Sequence, residues 1–223
     1  MLKYIAILFL VISASCKETP KKEDVVVVET SRVESLPFYK EASFTPHWIT
    51  PNTPEEKAFH KIPDFKLVNQ LGDTLTQQNF DNKIYITDFF FTSCPGICPQ
   101  MTNSMVALQE KFKNDPNILF LSHSVTPTID TVEELAKYAK RFGVITNKWH
   151  LVTGDKTEIY NLGRNEYFVE NDLGIPKDIN DFLHSENFLL IDKNKHIRGI
   201  YNGLNRASMA QLVVDVQALE KEG

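Results

Sequence analysis

Residues 84–99 read Ile84-Tyr85-Ile86-Thr87-Asp88-Phe89-Phe90-Phe91-Thr92-Ser93-Cys94-Pro95-Gly96-Ile97-Cys98-Pro99. The first eight are a nearly continuous β-branched and aromatic run, the pattern of a strand buried on both faces. Two cysteines four apart follow at once, and beyond them Met101, Met105, Leu108 and Phe112 recur at helical spacing. The pair therefore sits where a buried strand hands over to a helix. At positions i and i+4 of a helix the Cβ atoms share a face about 5–6 Å apart. Two such thiols can hold one ion, or close a disulfide with modest adjustment. A helix N-terminus favours negative charge, which lowers a thiol's pKa and favours the thiolate, both the metal ligand and the redox nucleophile. Pro99 suits an early helical position, where no N–H is needed. The plain alternative is a structural disulfide or two inert core thiols.

On either side of this segment the chain alternates between strands and helices. Phe65–Val68 and Thr74–Thr76, joined through Leu71-Gly72-Asp73, predict an N-terminal hairpin around a glycine turn. Ile118–Val125 and Trp149–Val152 read as strands. Asp130-Thr131 opens a helix that lines up Val132, Leu135, Ala136, Ala139 and Phe142. Lys156–Leu162 reads as a short helix, and Gly163 to about Leu183 as a polar excursion. Phe188–Ile191 and Ile197–Tyr201 form a hairpin, and a last helix carries Met209, Leu212, Val213, Val216 and Leu219 on one face. The pattern argues an α/β fold: a mixed central sheet flanked by helices, with an antiparallel terminal edge and an N-terminal hairpin extension.

The chain has 223 residues, 42% of them hydrophobic and 24% charged, which excludes collagen-like, wholly disordered and multi-span membrane classes. A net charge of −5 gives no basic footprint for nucleic acid, and three cysteines do not make a disulfide scaffold. At the N-terminus, Lys3, the apolar run Tyr4–Ile12 and Ser13-Ala14-Ser15-Cys16 read as a signal peptide over residues 1–15. Small residues before Cys16 resemble a bacterial lipoprotein signal, in which that cysteine becomes the lipidated N-terminus and a membrane tether. Nine apolar residues are too few to cross about 30 Å of hydrocarbon. Lipidation of Cys16 leaves the exported part with two thiols, Cys94 and Cys98. Residues 16–55 read as tether and irregular lead-in, with a short strand at Val25–Val28, and 56–223 as one folded domain in the cell envelope, facing the periplasm.

Two thiolates alone make a poor zinc site, which takes four ligands. Soft, low-coordinate Cu(I) suits two sulfurs and one imidazole better. The six histidines are His47, His60, His123, His150, His184 and His196. His184 stands out, at the mouth of the polar excursion and just before a strand. His123, at the end of a central strand, is second. His196 falls in a hairpin turn and is expected to be solvated. Asp88 interrupts the apolar strand six residues before Cys94. Burial there predicts a raised pKa and a proton acceptor for Cys98, the alternative being a wet position or a local hydrogen bond. Met101, Met105 and Phe89-Phe90-Phe91 read as core. Trp48, Tyr167 and Phe168 are candidates for an exposed partner patch.

The segment Phe91-Thr92-Ser93-Cys94-Pro95 through Ile97-Cys98-Pro99 resembles the signature of the SCO (SenC) family of thioredoxin-like copper proteins. Ser124-Val125-x-Pro127 with Asp130-Thr131, Leu151-x-Thr153-Gly154 and His184-Ser185 extend the resemblance over about residues 60–222. Thr126, Gly96 and Phe182-Leu183 depart from the residues usual in that family. The resemblance implies a thioredoxin-like fold and a copper site, Cu(I) or Cu(II), with Cys94, Cys98 and His184 as ligands. It also implies a metallochaperone that delivers copper to, or matures, the dinuclear copper centre of a cytochrome c oxidase. The partner is then the copper-site subunit of that oxidase, or another periplasmic copper or thiol protein. Two alternatives stay open: a thiol–disulfide oxidoreductase in which Cys94 attacks and Cys98 resolves, and a copper or redox sensor.

Overall fold

A computed structural model describes residues 30–169 and 185–222. In chain order these form α1 (Pro54–Ala58), β1 (Lys66–Asn69), β2 (Thr74–Thr76), β3 (Ile84–Phe90), α2 (Cys98–Phe112), β4 (Ile118–Ser124), α3 (Val132–Phe142), β5 (Trp149–Thr153), α4 (Lys156–Asn161), β6 (Asn187–Ile191), β7 (Ile197–Asn202) and α5 (Arg206–Lys221). The signal segment, Val25–Val28 and His184 lie outside the described residues.

All seven residues of β3 are buried, as an unbroken apolar run requires. The strand lies inside a seven-stranded sheet of order β2-β1-β5-β4-β3-β6-β7. β3, β4 and β5 run parallel, while β1 and β2 on one side, and β6 and β7 on the other, add antiparallel edges. The parallel connections carry α2 and α3, as parallel strands demand a crossover. Alternation along β3 sends Ile84, Ile86 and Phe90 to one face, where α2, α3 and α5 cover them through Met105, Leu108, Leu135, Leu212 and Val216. Tyr85 and Phe89 point to the other face, packed with Phe65, Phe80, Leu121, Tyr160 and Tyr167.

The local signals are simple. Gly72 takes φ +85° in the β1–β2 turn, a conformation cheap only for glycine. The Asn69 side chain accepts from the N–H groups of Leu71 and Asp73 and closes that turn. Thr131 caps α3 by accepting from the Glu134 N–H, and Gly143 ends it in the left-handed region.

Residues 30–53 are irregular yet anchored. Phe38 pairs with His47, and Tyr39 bridges to Ile197 at the edge of β7. Leu36, Phe38 and Ile49 are buried. The buried Arg198 guanidinium holds this segment: it donates to the carbonyls of Leu36 and Pro37 and to the carboxylates of Asp192 (3.1 Å) and Glu222 (2.7 Å). Its charge also lies 4.0 Å from the centre of the Phe38 ring. Two carboxylates and two carbonyls offset the desolvation that a lone buried cation would suffer.

Two positions differ from the sequence expectation. His196 is fully buried rather than solvated, because residues 36–60 fold over its turn; its Nδ1 lies 2.8 Å from the His60 carbonyl and its ring packs against Phe38. After α4 the chain does not leave the body at once. It continues through a wider π turn, Leu162–Glu166, that buries Tyr167 and Val169. Tyr167 hydroxyl meets Tyr85 hydroxyl at 3.0 Å, so it belongs to the core and not to a surface patch. Trp48 is 62% exposed.

Candidate dithiol and metal centre

β3 delivers its C-terminal end to the loop Phe91–Ile97, and α2 starts at Cys98. No side chain caps α2 by hydrogen bonding, so its first N–H groups are open to another acceptor. At the Cys94 thiol, burial acts against the Cys98 thiol and the backbone N–H groups of Cys98, Gly96 and Ile97. Burial on its own drives the Cys94 thiol upward. The four donors together outweigh it and hold the thiol below its ordinary value. Cys94 is partly exposed and Cys98 is buried against Phe90, Met101 and Tyr138. Burial first, and then the neighbouring Cys94, push the Cys98 thiol up to about 12. The two sulfurs are free thiols in contact but chemically unequal: an accessible, activated one and a sheltered, proton-holding one.

Asp88 lies on the same face of β3 as Phe90, toward α2. It is 2% exposed, so the buried position is the correct one of the two sequence alternatives. Burial pushes its carboxyl up to about 7, against a smaller downward pull from the Ser122 hydroxyl. Ser122 stands opposite Asp88 on β4 and accepts from Trp149 Nε1 at 2.9 Å, which leaves its own proton for the carboxylate. Asp88 Oδ1 has no hydrogen-bond partner among the described residues. The Asp88 charge contributes to the upward shift of Cys98.

The described histidines do not join the thiols. His123, the second candidate from the sequence, points to the opposite face of the sheet. There its ring stacks on Phe89 at 4.6 Å, Nδ1 meets Thr87 at 3.2 Å, and burial lowers its pKa to about 3. His150 shares that face beside Phe80. His60 meets the Glu166 carbonyl, and His47 lies 3.6 Å from Glu41. His196 opens β7 and therefore lies at the end of the sheet opposite the cysteines, 3.4 Å from Glu56. Among the described residues no three His, Cys, Asp or Glu side chains converge. The first strand after His184 in the chain is β6. β6 begins at Asn187 at the end of the sheet where β3 releases the cysteine loop. Gly203 N–H donates to the Glu186 carbonyl at 2.7 Å, and Ser104 of α2 donates to the Gly203 carbonyl at 2.7 Å. Met101 and Met105 are buried in the core under α2.

The structure gives a further role to Asp130, which the sequence places at the opening of a helix and in the family resemblance. Asp130 is fully buried and accepts four hydrogen bonds: from the Thr92 N–H (3.2 Å) and hydroxyl, from Ser124 Oγ (2.6 Å) and from Thr126 Oγ1 (3.0 Å). Hydrogen bonds to a charged acceptor stabilise by about 1.5–3 kcal/mol each. One side chain thus ties the end of β4, the loop before α3 and the start of the cysteine loop together. The hydroxyl-rich run Ser124-x-Thr126 before Asp130 is the sequence signal for such a cluster.

A thioredoxin-like sheet that presents two unequal thiols at the start of a helix defines a dithiol protein of the metal-binding or redox class. The SCO1/SenC family model matches residues 53–219, and the chain belongs to that family. The SCO1 protein homolog of Bacillus subtilis is 26% identical over 71% of this chain and 82% of its own length. A SCO1/SenC family lipoprotein from Bacillus anthracis superposes with a TM-score of 0.63 at 27% identity, covering 72% of this chain and 95% of that one. Arabidopsis thaliana ScoI with copper bound gives 0.55 at 26% identity, covering 71% and 98%. No helix among the described residues is long and apolar enough to cross a membrane.

Proposed function

We propose that this chain is an exported, membrane-tethered copper-binding protein that delivers copper to, or matures, the dinuclear copper site of a cytochrome c oxidase. Cys94, Cys98 and His184 are its ligands and Cys16 its lipid attachment point. The observation that carries the reading is the pair of free thiols at the start of α2, with Glu186 and Gly203 bound beside that same helix. Of the six histidines, the five described form no cluster with the thiols. The copper bound to Arabidopsis ScoI supports the choice of metal, as does the preference of soft Cu(I) for few thiolate and imidazole ligands. Copper is cargo here. Cys94 as thiolate is the first contact, Cys98 must lose its proton to become the second, and Asp88 on the same face can accept that proton. Loading therefore releases protons and requires the dithiol form. Transfer follows by ligand exchange, as an acceptor's soft ligands replace these one at a time.

A second reading is favoured by the same inequality of the thiols. An activated, accessible Cys94 and a sheltered Cys98 beside a buried carboxyl suit a thiol–disulfide oxidoreductase. Cys94 attacks a partner disulfide and Cys98 releases the mixed disulfide.

Titration of the reduced, metal-free protein with Cu(I) against a chromogenic chelator separates the two readings. About one copper per chain is expected, lost in Cys94→Ser and Cys98→Ser and markedly weakened in His184→Ala. The His184→Ala protein should still close its disulfide normally. Unchanged copper affinity in His184→Ala overturns the ligand set and leaves the oxidoreductase reading. For the tether, palmitate labelling of cells is expected to disappear in Cys16→Ala; label retained in that variant removes the lipoprotein assignment.

A further inference from the structure

We infer that the surface beside the dithiol, formed by Pro95, Gly96 and Ile97 on one loop and Pro127 and Ile129 on the next, is the docking face for a partner protein that presents its own soft ligands within an uncharged, apolar rim. The inference rests on the reading of Cys94 and Cys98 as the working pair and names the kind of partner that reading requires. The two loops are held side by side. Val125 N–H donates to the Phe90 carbonyl at 2.9 Å, and the N–H of Thr92, two residues before Cys94, donates to the Asp130 carboxylate at 3.2 Å. Pro95 and Gly96 are exposed, and Ile97 and Pro127 are half-buried. Ile129 directly precedes Asp130 and is 56% exposed, one of three large apolar side chains left open to solvent among the described residues. Leu71 is a second, and the turn that carries it lies against the first residue of α3, with the Cβ position of Gly72 3.9 Å from Val132 Cγ1. Two of the three therefore flank the start of α3, next to the cysteine loop.

Charge is missing from this face. Residues 89–109 and 116–129 contain no Asp, Glu, Lys or Arg, in a chain of which 24% is charged. The carboxylate between the loops, Asp130, is fully buried and turned inward onto Thr92, Ser124 and Thr126. The next acids along the chain, Glu133 and Glu134, are both bound by Lys137, at 2.9 and 2.8 Å. An exposed apolar patch beside a reactive group marks an interaction site, and the chemistry beneath it fixes the occupant. Whether copper or a disulfide changes hands, a partner's sulfur or imidazole must come within bonding distance of Cys94, so the surface around that ligand lands on these two loops. A charged rim would lose water against groups that cannot pair with it. An apolar rim buries Ile97 and Ile129 instead. Burial at short range, rather than electrostatic steering, then selects the partner.

The probes are three short peptides, each carrying one cysteine as its thiopyridyl disulfide, flanked by leucine and methionine, by aspartates or by lysines. In Cys98→Ser the Cys94 sulfur attacks the peptide sulfur. The peptide–Cys94 disulfide forms, the peptide–pyridyl disulfide breaks, and the thiopyridone leaves with the electron pair, so Cys94 is oxidised as the reagent is reduced. Dividing each rate by that of N-acetylcysteine with the same peptide removes the probe's own reactivity, and comparing peptides on one protein removes that of Cys94. The leucine–methionine peptide should react about tenfold faster than either charged peptide, and remain so when salt shortens the screening length to about 3 Å. Ile129→Ala should cut that preference about threefold, and Ile129→Lys should bring in a salt-dependent preference for the acidic peptide. Trp48→Ala, at the third exposed apolar site, should change nothing. Equal relative rates for the three peptides overturn the inference, as does a charge preference that salt abolishes with Ile129 in place, or an apolar preference that Ile129→Ala leaves untouched. Sedimentation of the reduced protein as a dimer that Ile129→Lys dissociates makes the occupant a second copy and overturns it too. The peptide rates need no metal: normal Cu(I) binding with equal peptide rates sinks this inference alone, and a clear apolar preference in a protein that binds no Cu(I) sinks the copper reading alone.

Discussion

At pH 7 iodoacetamide should label Cys94 about a hundredfold faster than Cys98. The thiolate fraction of a group near 12 is roughly 10⁻⁵ at that pH, whereas a thiol below 9 is ionised at the level of a per cent or more. That is a difference of about three orders of magnitude. Nucleophilicity runs the other way, because a thiolate of lower pKa attacks more slowly, and this takes back about one to one and a half orders. Cys98 is also sheltered beneath Phe90 and Tyr138, which restores part of the gap. Peptide mass spectrometry after a timed exposure reads the two sites separately. Comparable labelling of both would mean that the two thiols are not unequal, and the asymmetric use of the pair would fail with it. The inequality matters for function in either reading: a metal or a partner disulfide meets Cys94 first, and Cys98 enters only when its proton has somewhere to go.

How much of this was visible in the chain depends on the range of the signal. β3 was legible because seven consecutive buried side chains, mostly β-branched or aromatic, leave no charged break except Asp88. The β1–β2 turn and the ends of α3 were legible because Gly72, Thr131 and Gly143 act on their immediate neighbours. The dithiol followed from spacing alone. His196 was misjudged because what buries it, His60, Phe38 and Phe59, lies over 130 residues earlier. Tyr167 was misjudged because a π turn prolongs a short helix where the composition reads as loop. For His123, strand alternation separates its side from that of Ser122 and Ser124, but only the placement of α2 shows which side faces the sulfurs. Asp130 has its main partner, Thr92, at a separation of 38 residues, and no local pattern reports that bond.

Replacing Asp88 with asparagine should make the protein more stable above pH 7 and less stable than wild type below about pH 5. The carboxyl moves from 3.8 in the unfolded chain to about 7 in the fold. Between those values the native state holds one proton more than the unfolded state, so stability falls as pH rises, by about 1.4 kcal/mol per unit. Over about three units the loss is roughly 4 kcal/mol, complete once pH exceeds 7. Asparagine cannot ionise and so avoids that loss. It has its own unpartnered amide to bury where Asp88 Oδ1 lacks a partner, an offset of about 1–3 kcal/mol. The net gain at pH 8 is therefore about 2 kcal/mol, several degrees in thermal midpoint for a chain of this size. His123 works in the opposite direction. Held neutral to about 3, it binds its proton in the unfolded chain first, so stability falls as pH drops below 6.5. In the wild type the two slopes oppose one another between about pH 6.5 and 4 and the stability curve is flat there. In Asp88→Asn only the histidine slope survives, and stability should fall by about 1.4 kcal/mol per unit on acidification. Urea unfolding at pH 8, 6 and 4.5 reads this directly; a variant less stable than wild type at pH 8 refutes the buried, strained carboxyl. The same variant should close the Cys94–Cys98 disulfide more slowly, because the group that costs the fold stability at neutral pH is the one placed to take the proton from Cys98.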